Sequence, residues 1–554
     1  MNFLKINFKK KLLLTSLALS NLYILIFTNL FFYSTYGADY ERYINYIKYF
    51  FGELSSTGLE QGSLYFFLIA LSVNITNDFI NVTNLQSSIS FSIQTVNTVL
   101  IYIGSLCYFK YFKHLKFDDI KILIVLNTIN FFPPLFALRV TMKPEVLIFT
   151  LLPVLLLNID LFRKNKHPKY LLLSILSLSL IITTKGTFFA MIPLLLIFYY
   201  RDFIIELGFR PILLIILIFS IFSLPLFVEN FSKNDNTLLS RTIPEKYNNR
   251  ASVDIIYNNP EGNSFKIGPV SFDENTVLGI AFFDTFGDYF NFYWKKDVSL
   301  FNKYSKDIFI KSDAEEILQF DIKNRNIIYS GPYKNNVLLL RDYLSYIFSS
   351  LLYILLIFLS FKDKKHKYIY LSPFIGIFVL YLNSLGIPEN NFDPITADTF
   401  KVFYYSPILI LAVMFAFLYF SNSKSFIISC FLFICLNLYI LGFPKQDGSE
   451  YFNELHERNS ISYLCEINKK LIYDLENDSN CTQQNIEICN NQVLKDNEIS
   501  DFMLKKYEVV KNGQFCEANK SHVFANNLIS RAPYINLIYL LSALVLSIKL
   551  RSDN

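Results

Sequence analysis

The sequence lacks three features that each indicate a particular class of protein. No internal repeat recurs at a fixed period, whereas secondary transporters are built from repeats and carry charges at mid-membrane on broken helices. No Cys-x-x-Cys pair is present, so the usual spacing of a zinc site is missing. No low-complexity linker interrupts the 554 residues. These absences weigh against a repeat-built transporter and against a zinc module.

Charge is scarce and nearly balanced. Lys and Arg together number 51 and Asp and Glu 46, which leaves a net charge of +5. The basic residues gather in short loops between apolar runs, so they report on membrane topology. The sequence therefore predicts no nucleic-acid partner.

Apolar residues make up 53% of the chain, and repeated apolar runs of about 20 residues define membrane-spanning helices. Twelve candidate segments are present, at about 12–33, 88–109, 119–138, 143–161, 169–184, 186–200, 209–228, 342–361, 368–386, 403–420, 425–443 and 533–550. The sequence predicts an all-α polytopic membrane protein with about 12 transmembrane helices and extracytoplasmic loop domains. A further apolar stretch, 63–73, would break the alternation if it crossed fully, and we interpret it as re-entrant or interfacial.

The sidedness of the basic loops predicts the orientation of these segments. Four lysines precede the run 12–33, which is long for a signal-peptide core and lacks a clear Ala-x-Ala-like cleavage site. An uncleaved signal anchor with a cytoplasmic N-terminus places the densest basic clusters between spans on the cytoplasmic side. Both termini are then cytoplasmic in a multi-pass protein of the inner or plasma membrane. The larger outer segments are 34–87, 229–341, 387–402 and 444–532.

This topology predicts five consecutive parts. They are an N-terminal transmembrane module 1–228, an extracytoplasmic loop domain 229–341, transmembrane helices 342–443, an extracytoplasmic Cys-containing cap 444–532, and a last transmembrane helix with a cytoplasmic tail 533–554. The cap holds Cys465, Cys481, Cys489 and Cys516. An even number of cysteines in an oxidising compartment favours two disulfides with three possible pairings, and a zinc site is the alternative.

Charged residues at the outer ends of the predicted spans are the candidate site. Asp39 and Glu41 follow the first span, Arg139, Lys143 and Glu145 surround an outward turn, and Lys185 stands between two apolar runs. Asp284 and Asp288 are four residues apart, so they share a face if their segment is helical. Plainer interpretations are a solvated loop for the acidic residues, an interfacial lysine at 185, and a helix lying on the membrane around Asp284. Convergence on one side favours a site in which a carboxylate takes a proton and cations hold a lipid phosphate.

The order of these motifs resembles the GT-C superfamily of membrane glycosyltransferases, which includes protein O-mannosyltransferases and the lipid A aminoarabinose transferase. The acidic loop Asp39-Tyr-Glu41 follows the first span, and Gln61-Gly-Ser-Leu-Tyr-Phe-Phe-Leu-Ile69 is similar to the entry to the family's next helix. The charged turn Arg139…Lys143-Pro-Glu145, the segment Thr184-Lys185-Gly-Thr187 and the late Lys401-Val-Phe-Tyr-Tyr-Ser-Pro407 resemble later family segments.

The resemblance implies a transferase that takes its sugar from a polyprenyl phosphate, with a lipid, glycan or protein as the acceptor. It implies Asp39 as the catalytic base, with Glu41 beside it, and Lys185, Lys143 and Arg139 as contacts of the donor phosphate. Glu145, Asp284 and Asp288 are possible support for the acceptor or the site. No cofactor is assigned; a divalent metal is possible and its ligands are unknown. Two alternatives stay open: a polysaccharide or O-antigen polymerase with lipid-diphosphate donors, which Asp39-Tyr-Glu-Arg-Tyr43 also resembles, and a lipid-linked oligosaccharide flippase or transporter.

Overall fold

The computed structural model describes part of the chain. The described residues are 2–31, 34, 43–44, 46–47, 50, 62, 64–80, 85–208, 211–221, 276–286, 336–386, 401–423 and 425–442. The predicted span 533–550, the cap 444–532 and most of the loop domain 229–341 lie outside these residues, so the predicted five-part division stays a prediction.

Within those ranges the fold is all-α, and they contain no strand. The helices are α1 (Asn2–Phe31), α2 (Leu64–Ile80), α3 (Leu85–His114), α4 (Asp119–Ile129), α5 (Pro133–Val140), α6 (Glu145–Asn165), α7 (Pro168–Thr184), α8 (Phe188–Tyr199), α9 (Arg201–Leu207), α10 (Pro211–Ile221), α11 (Val277–Asp284), α12 (Asn336–Lys362), α13 (Lys367–Tyr370), α14 (Ser372–Gly386), α15 (Ser406–Phe420) and α16 (Phe426–Gly442), with a 3₁₀ turn at Val402–Tyr404.

Proline and short polar residues determine where several of these helices begin. Asp118 caps α4 because its carboxylate accepts the amide hydrogens of Ile120 and Lys121, both at 3.0 Å. Pro133 opens α5 and holds the preceding Phe132 in extended backbone, since a residue before proline avoids the helical region. As a result α4 and α5 meet at 63° and form one broken span.

Four described helices are long and apolar enough to cross a membrane by themselves, and six spans result if each bent pair counts as one. The four are Phe8–Asn29, Ile89–His114, Glu145–Asn165 and Leu344–Lys362, and the bent pairs are α4 with α5 and α8 with α9. Six further apolar helices are shorter. The described chain thus has the helical, apolar character predicted for a membrane protein, whereas the predicted count of 12 spans is not reached by helix length and composition alone.

Short connections make successive helices antiparallel, so the bundle has two distinct ends. At one end Lys10 and Lys113 both pair with Asp119, at 2.7 Å and 3.4 Å, which joins α1, α3 and α4. Arg163 and Lys362 lie in the last turns of α6 and α12 at this same end. We call it the basic end. The opposite end, where α6 begins and α7 finishes, carries the candidate site.

Candidate functional site

The candidate site lies where the start of α6, the end of α7 and the 3₁₀ turn before α15 meet. Pro144 is the N-cap residue of α6, so Lys143 lies just outside that helix. Lys185 is the C-cap residue of α7 and has extended backbone. Both lysines therefore stand at helix ends at the same end of the bundle, and both are buried.

Lys185 contacts three residues from three different parts of the chain. Its ammonium lies 3.4 Å from a carboxylate oxygen of Glu145, 3.3 Å from the Tyr43 hydroxyl and 4.5 Å from the centre of the Tyr404 ring. The exposed fraction of Lys185 is 7%, so the charge is shielded from bulk water. An ammonium held this way is compensated by one carboxylate and by aromatic faces.

Lys143 lies against two aromatic rings. Its ammonium lies 4.5 Å from the centre of the Phe403 ring and 5.4 Å from that of Tyr43. Tyr43 thus contacts both buried lysines, and the 3₁₀ turn supplies a second ring to each of them. Aromatic faces stabilise the two ammonium groups.

Glu145 supplies the carboxylate that lies beside the Lys185 ammonium. Its side chain is fully buried in the first turn of α6, where the helix dipole favours a negative charge. Neither carboxylate oxygen accepts a hydrogen bond from the described residues. Lys143, Lys185 and Glu145 thus place two basic side chains and one acidic side chain in buried positions at this end of the bundle.

Lys401 belongs to the same cluster and is not among the predicted site residues. Its ammonium lies 6.0 Å from the centre of the Tyr404 ring, which Lys185 also contacts. Its place at the start of the segment Lys401–Pro407 is the sequence signal that could have indicated it. We name the set Lys143, Lys185, Lys401, Glu145, Tyr43, Phe403 and Tyr404 the cation–aromatic cluster.

A close backbone approach fixes the chain beside Lys185. The amide of Gly62 donates to the carbonyl oxygen of Thr183 at 2.7 Å, and a Cβ on Gly62 would lie 2.6 Å from that same oxygen. Only glycine permits this approach. The loop before α2 is thereby bound to the last turn of α7, two residues before Lys185.

The side chain of Asp284 contacts the backbone of the turn that carries two rings of the cluster. One of its carboxylate oxygens accepts the amide hydrogen of Val402 at 3.2 Å, at the start of the turn that carries Phe403 and Tyr404. The sequence predicted Asp284 as possible support for the site, and this contact is compatible with that prediction. Its predicted companion Asp288 lies outside the described residues.

Arg139 is turned toward a different set of partners. Its fully buried guanidinium donates to Asn21 at 2.6 Å and to Asn130 at 2.8 Å, and it lies 3.5 Å from the Thr98 hydroxyl. The described partners of Arg139 are uncharged and come from α1, α3 and the end of α4. The structure thus brings Lys143, Lys185 and Glu145 together and gives Arg139 a separate set of polar partners. The predicted contact between Arg139 and the donor phosphate stays a prediction.

The remaining predicted residues lie outside the described part of the chain. They are Asp39, Glu41, Asp288, Cys465, Cys481, Cys489 and Cys516. Cys107, Cys430 and Cys435 are described and carry free thiols. No group of three or more His, Cys, Asp or Glu residues within the described ranges could hold a metal ion.

Comparisons of the chain with protein-family models, with curated proteins and with solved structures found no match.

Proposed function

We propose that the protein is an integral-membrane glycosyltransferase that moves a sugar from a polyprenyl phosphate to an acceptor at the outer face of the membrane. The observation that carries the proposal is the pair of buried lysines, Lys143 and Lys185, at one end of an apolar helical bundle. Two buried lysines at one end of the bundle, one of them beside a carboxylate, favour an anion, and a phosphate attached to a lipid reaches such a place from the bilayer.

The proposed topology has about 12 spans, with both termini and the basic end in the cytoplasm. The sidedness of Lys10, Lys113, Arg163 and Lys362 supports it, because basic residues concentrate on the cytoplasmic side of membrane proteins. The cation–aromatic cluster is then extracytoplasmic. It faces the compartment that holds polyprenyl-linked sugars after they have crossed the bilayer.

The proposed chemistry is a direct displacement at the sugar carbon attached to the phosphate. Asp39 takes the proton of the acceptor hydroxyl, the acceptor oxygen bonds to the sugar carbon, and the bond from that carbon to the phosphate oxygen breaks. The polyprenyl phosphate leaves with one more negative charge than it carried as the donor. Lys143 and Lys185 stabilise that charge as it develops. Asp39 is four residues from Tyr43 in the sequence, and Tyr43 contacts both lysines.

Two alternative functions would also place the site at the outer face of the membrane. A polymerase would use a lipid-diphosphate donor, and a flippase would carry lipid-linked glycans without breaking the sugar–phosphate bond. The proposal favours the transferase because the described charges lie at a bundle end, whereas transporters bind at the midplane on discontinuous helices.

The deciding experiment supplies the purified protein, reconstituted in vesicles, with a labelled sugar on a polyprenyl monophosphate or on a polyprenyl diphosphate and with a mixture of lipid, glycan and protein acceptors. We expect transfer of the label to an acceptor and release of free polyprenyl monophosphate from the first donor, and neither from the second. Consumption of the diphosphate donor alone would support the polymerase. Movement of either intact lipid between leaflets without sugar release would support the flippase.

A further inference from the structure

The 3₁₀ turn Val402–Tyr404 carries the two rings that meet the buried lysines, and it needs an external partner at its start. The first amides of any helical turn have no acceptor within the turn. The residue in the capping position is Lys401, whose side chain makes no capping hydrogen bond. A lysine has no acceptor atom, so it cannot cap this amide.

Asp284 supplies that acceptor from 118 positions away in the sequence. Its Oδ2 accepts the Val402 amide hydrogen at 3.2 Å and thereby satisfies the first amide of the turn. The last residue of α11 therefore acts as the cap of a turn that precedes α15.

A second connection ties the other end of the same turn to the same place. The Thr285 hydroxyl lies 3.0 Å from the Tyr353 hydroxyl, which lies 2.6 Å from the hydroxyl of Tyr405. Thr285 directly follows Asp284, and Tyr405 directly follows the turn. All three hydroxyl-bearing residues are buried, so this chain of hydrogen bonds is protected from water.

The end of α11 is itself held firmly in the bundle. Val277, Ile280 and Ala281 are buried against neighbouring helices, and the amide of Phe286 donates to Ser349 on α12 at 3.3 Å. Thr276 caps the start of α11 by accepting the Gly279 amide at 3.0 Å. The short helix α11, which belongs to the segment 229–341, thus provides a fixed point for the turn.

We propose that Asp284 is a positioning residue that sets where Phe403 and Tyr404 meet Lys143 and Lys185. The role of Asp284 is to accept a hydrogen bond, so it depends on an oxygen atom and not on a negative charge. The consequence for ligand binding rests on the proposed function, in which the two lysines hold the phosphate of a polyprenyl phosphate.

The test compares Asp284→Asn, which keeps an acceptor oxygen, with Asp284→Ala, which removes it. Asp118→Ala is the matched control, because it removes a carboxylate cap of α4 at the basic end without touching α11 or Val402. Amide hydrogen exchange of the peptide that covers 401–405 is measured on the reconstituted protein without ligand. We expect Asp284→Ala to speed exchange there by about 5-fold, the usual effect of losing a cap, with Asp284→Asn and Asp118→Ala near wild type.

Binding of a polyprenyl monophosphate and transfer from its glycosylated form give the second readout. Asp284→Ala should raise the donor concentration needed for half-maximal transfer, and Asp284→Asn should restore the wild-type value. If Asp284→Asn exchanges as fast as Asp284→Ala, or if Asp284→Ala exchanges at the wild-type rate, the positioning role is overturned. If the exchange pattern holds while wild type binds no polyprenyl monophosphate, the positioning role stands and the proposed function fails.

Discussion

The ammonium nitrogen of Lys185 lies 3.4 Å from a carboxylate oxygen of Glu145, and the Glu145 side chain is fully buried. The two residues come from the end of α7 and the start of α6, 40 positions apart. Because the Glu145 oxygens accept no hydrogen bond from the described residues, Lys185 is the described charge that compensates the carboxylate. Removing Lys185 therefore has two effects, one on the fold and one on any anionic ligand.

A pair of variants separates these effects. Lys185→Ala should destabilise the protein by about 3 kcal/mol, because it leaves a buried carboxylate without its partner. Adding Glu145→Gln should restore most of the melting temperature, yet binding of a polyprenyl monophosphate should stay roughly 10-fold weaker, since a charged hydrogen bond to the phosphate is lost. Lys164→Gln, an exposed change at the basic end, is the control. Full recovery of binding in the double variant would exclude Lys185 from the phosphate site.

The base is tested by Asp39→Asn, which keeps the shape of the side chain and removes its basicity. Transfer should fall by roughly 10²–10⁴-fold, the usual contribution of a general base. Binding of the donor should survive, because the phosphate contacts the lysines. Turnover and donor binding are measured on the same reconstituted preparation. Wild-type turnover in this variant would make Glu41 or Asp284 the next candidate.

Two glycines beside Lys185 should respond differently to a methyl group. In Gly62→Ala the new Cβ would lie 2.6 Å from the Thr183 oxygen, so the loop or α7 must move, at about 1–3 kcal/mol. In Gly186→Ala the Cβ has no neighbour within 4 Å, and the change should stay within about 0.5 kcal/mol. Thermal unfolding in detergent compares the two. Equal melting temperatures would show that the Gly62–Thr183 contact yields without strain.

Acid should weaken the corner between α12 and α13. Burial lowers the pKa of His366 more than Asp363 raises it. Burial alone would raise the pKa of Asp363, but its hydrogen bonds with His366 and Tyr370 outweigh that effect and lower it.

Both shifts act in the same direction. The unfolded chain binds a proton at His366 below about pH 6.5, whereas the folded chain resists that proton. The unfolding free energy therefore falls as pH falls through that value. Protonation of Asp363 lowers the unfolding free energy further below about pH 4. His366→Phe should flatten the decline of melting temperature between pH 7 and 5. Parallel curves for variant and wild type would contradict this role.

The cysteines of segment 444–532 give a prediction that rests on sequence alone. Cys465, Cys481, Cys489 and Cys516 should be oxidised in pairs that stabilise a small cap, since the segment is proposed to be extracytoplasmic. Peptide mapping under non-reducing conditions should recover two cross-linked pairs. Four free thiols at these positions would refute both the disulfides and the oxidising location, and bound zinc would favour the alternative.

Part of the site could be predicted from sequence because helix ends are easy to locate. Pro144 and the Thr-Lys-Gly-Thr segment mark turns, so Lys143, Glu145 and Lys185 were placed at one end of the bundle. Arg139 is grouped with them in the sequence because the outward turn is predicted to run from Arg139 to Lys143. The chain leaves helix after Val140, however, so those two residues do not share a face.

The rest depended on contacts between distant parts of the chain. The place of Lys401 follows from a short turn whose first amide is bound by Asp284, and no periodicity indicates such a pairing. The number of membrane-spanning helices was hard to predict for a similar reason. Apolar runs located the helices well, but the bends at Pro133 and between α8 and α9 depend on local backbone geometry. The length of an apolar run therefore could not determine how many helices cross the membrane fully.

The hydrogen bond between Arg139 and Asn21 has a consequence for the order in which the bundle forms. A buried guanidinium is costly unless its N–H groups meet acceptors. Asn21 lies 118 positions earlier in the chain and is synthesised first, so its amide oxygen already exists when Arg139 is added. An apolar helix of equal length in place of α1 would leave Arg139 without one of its acceptors.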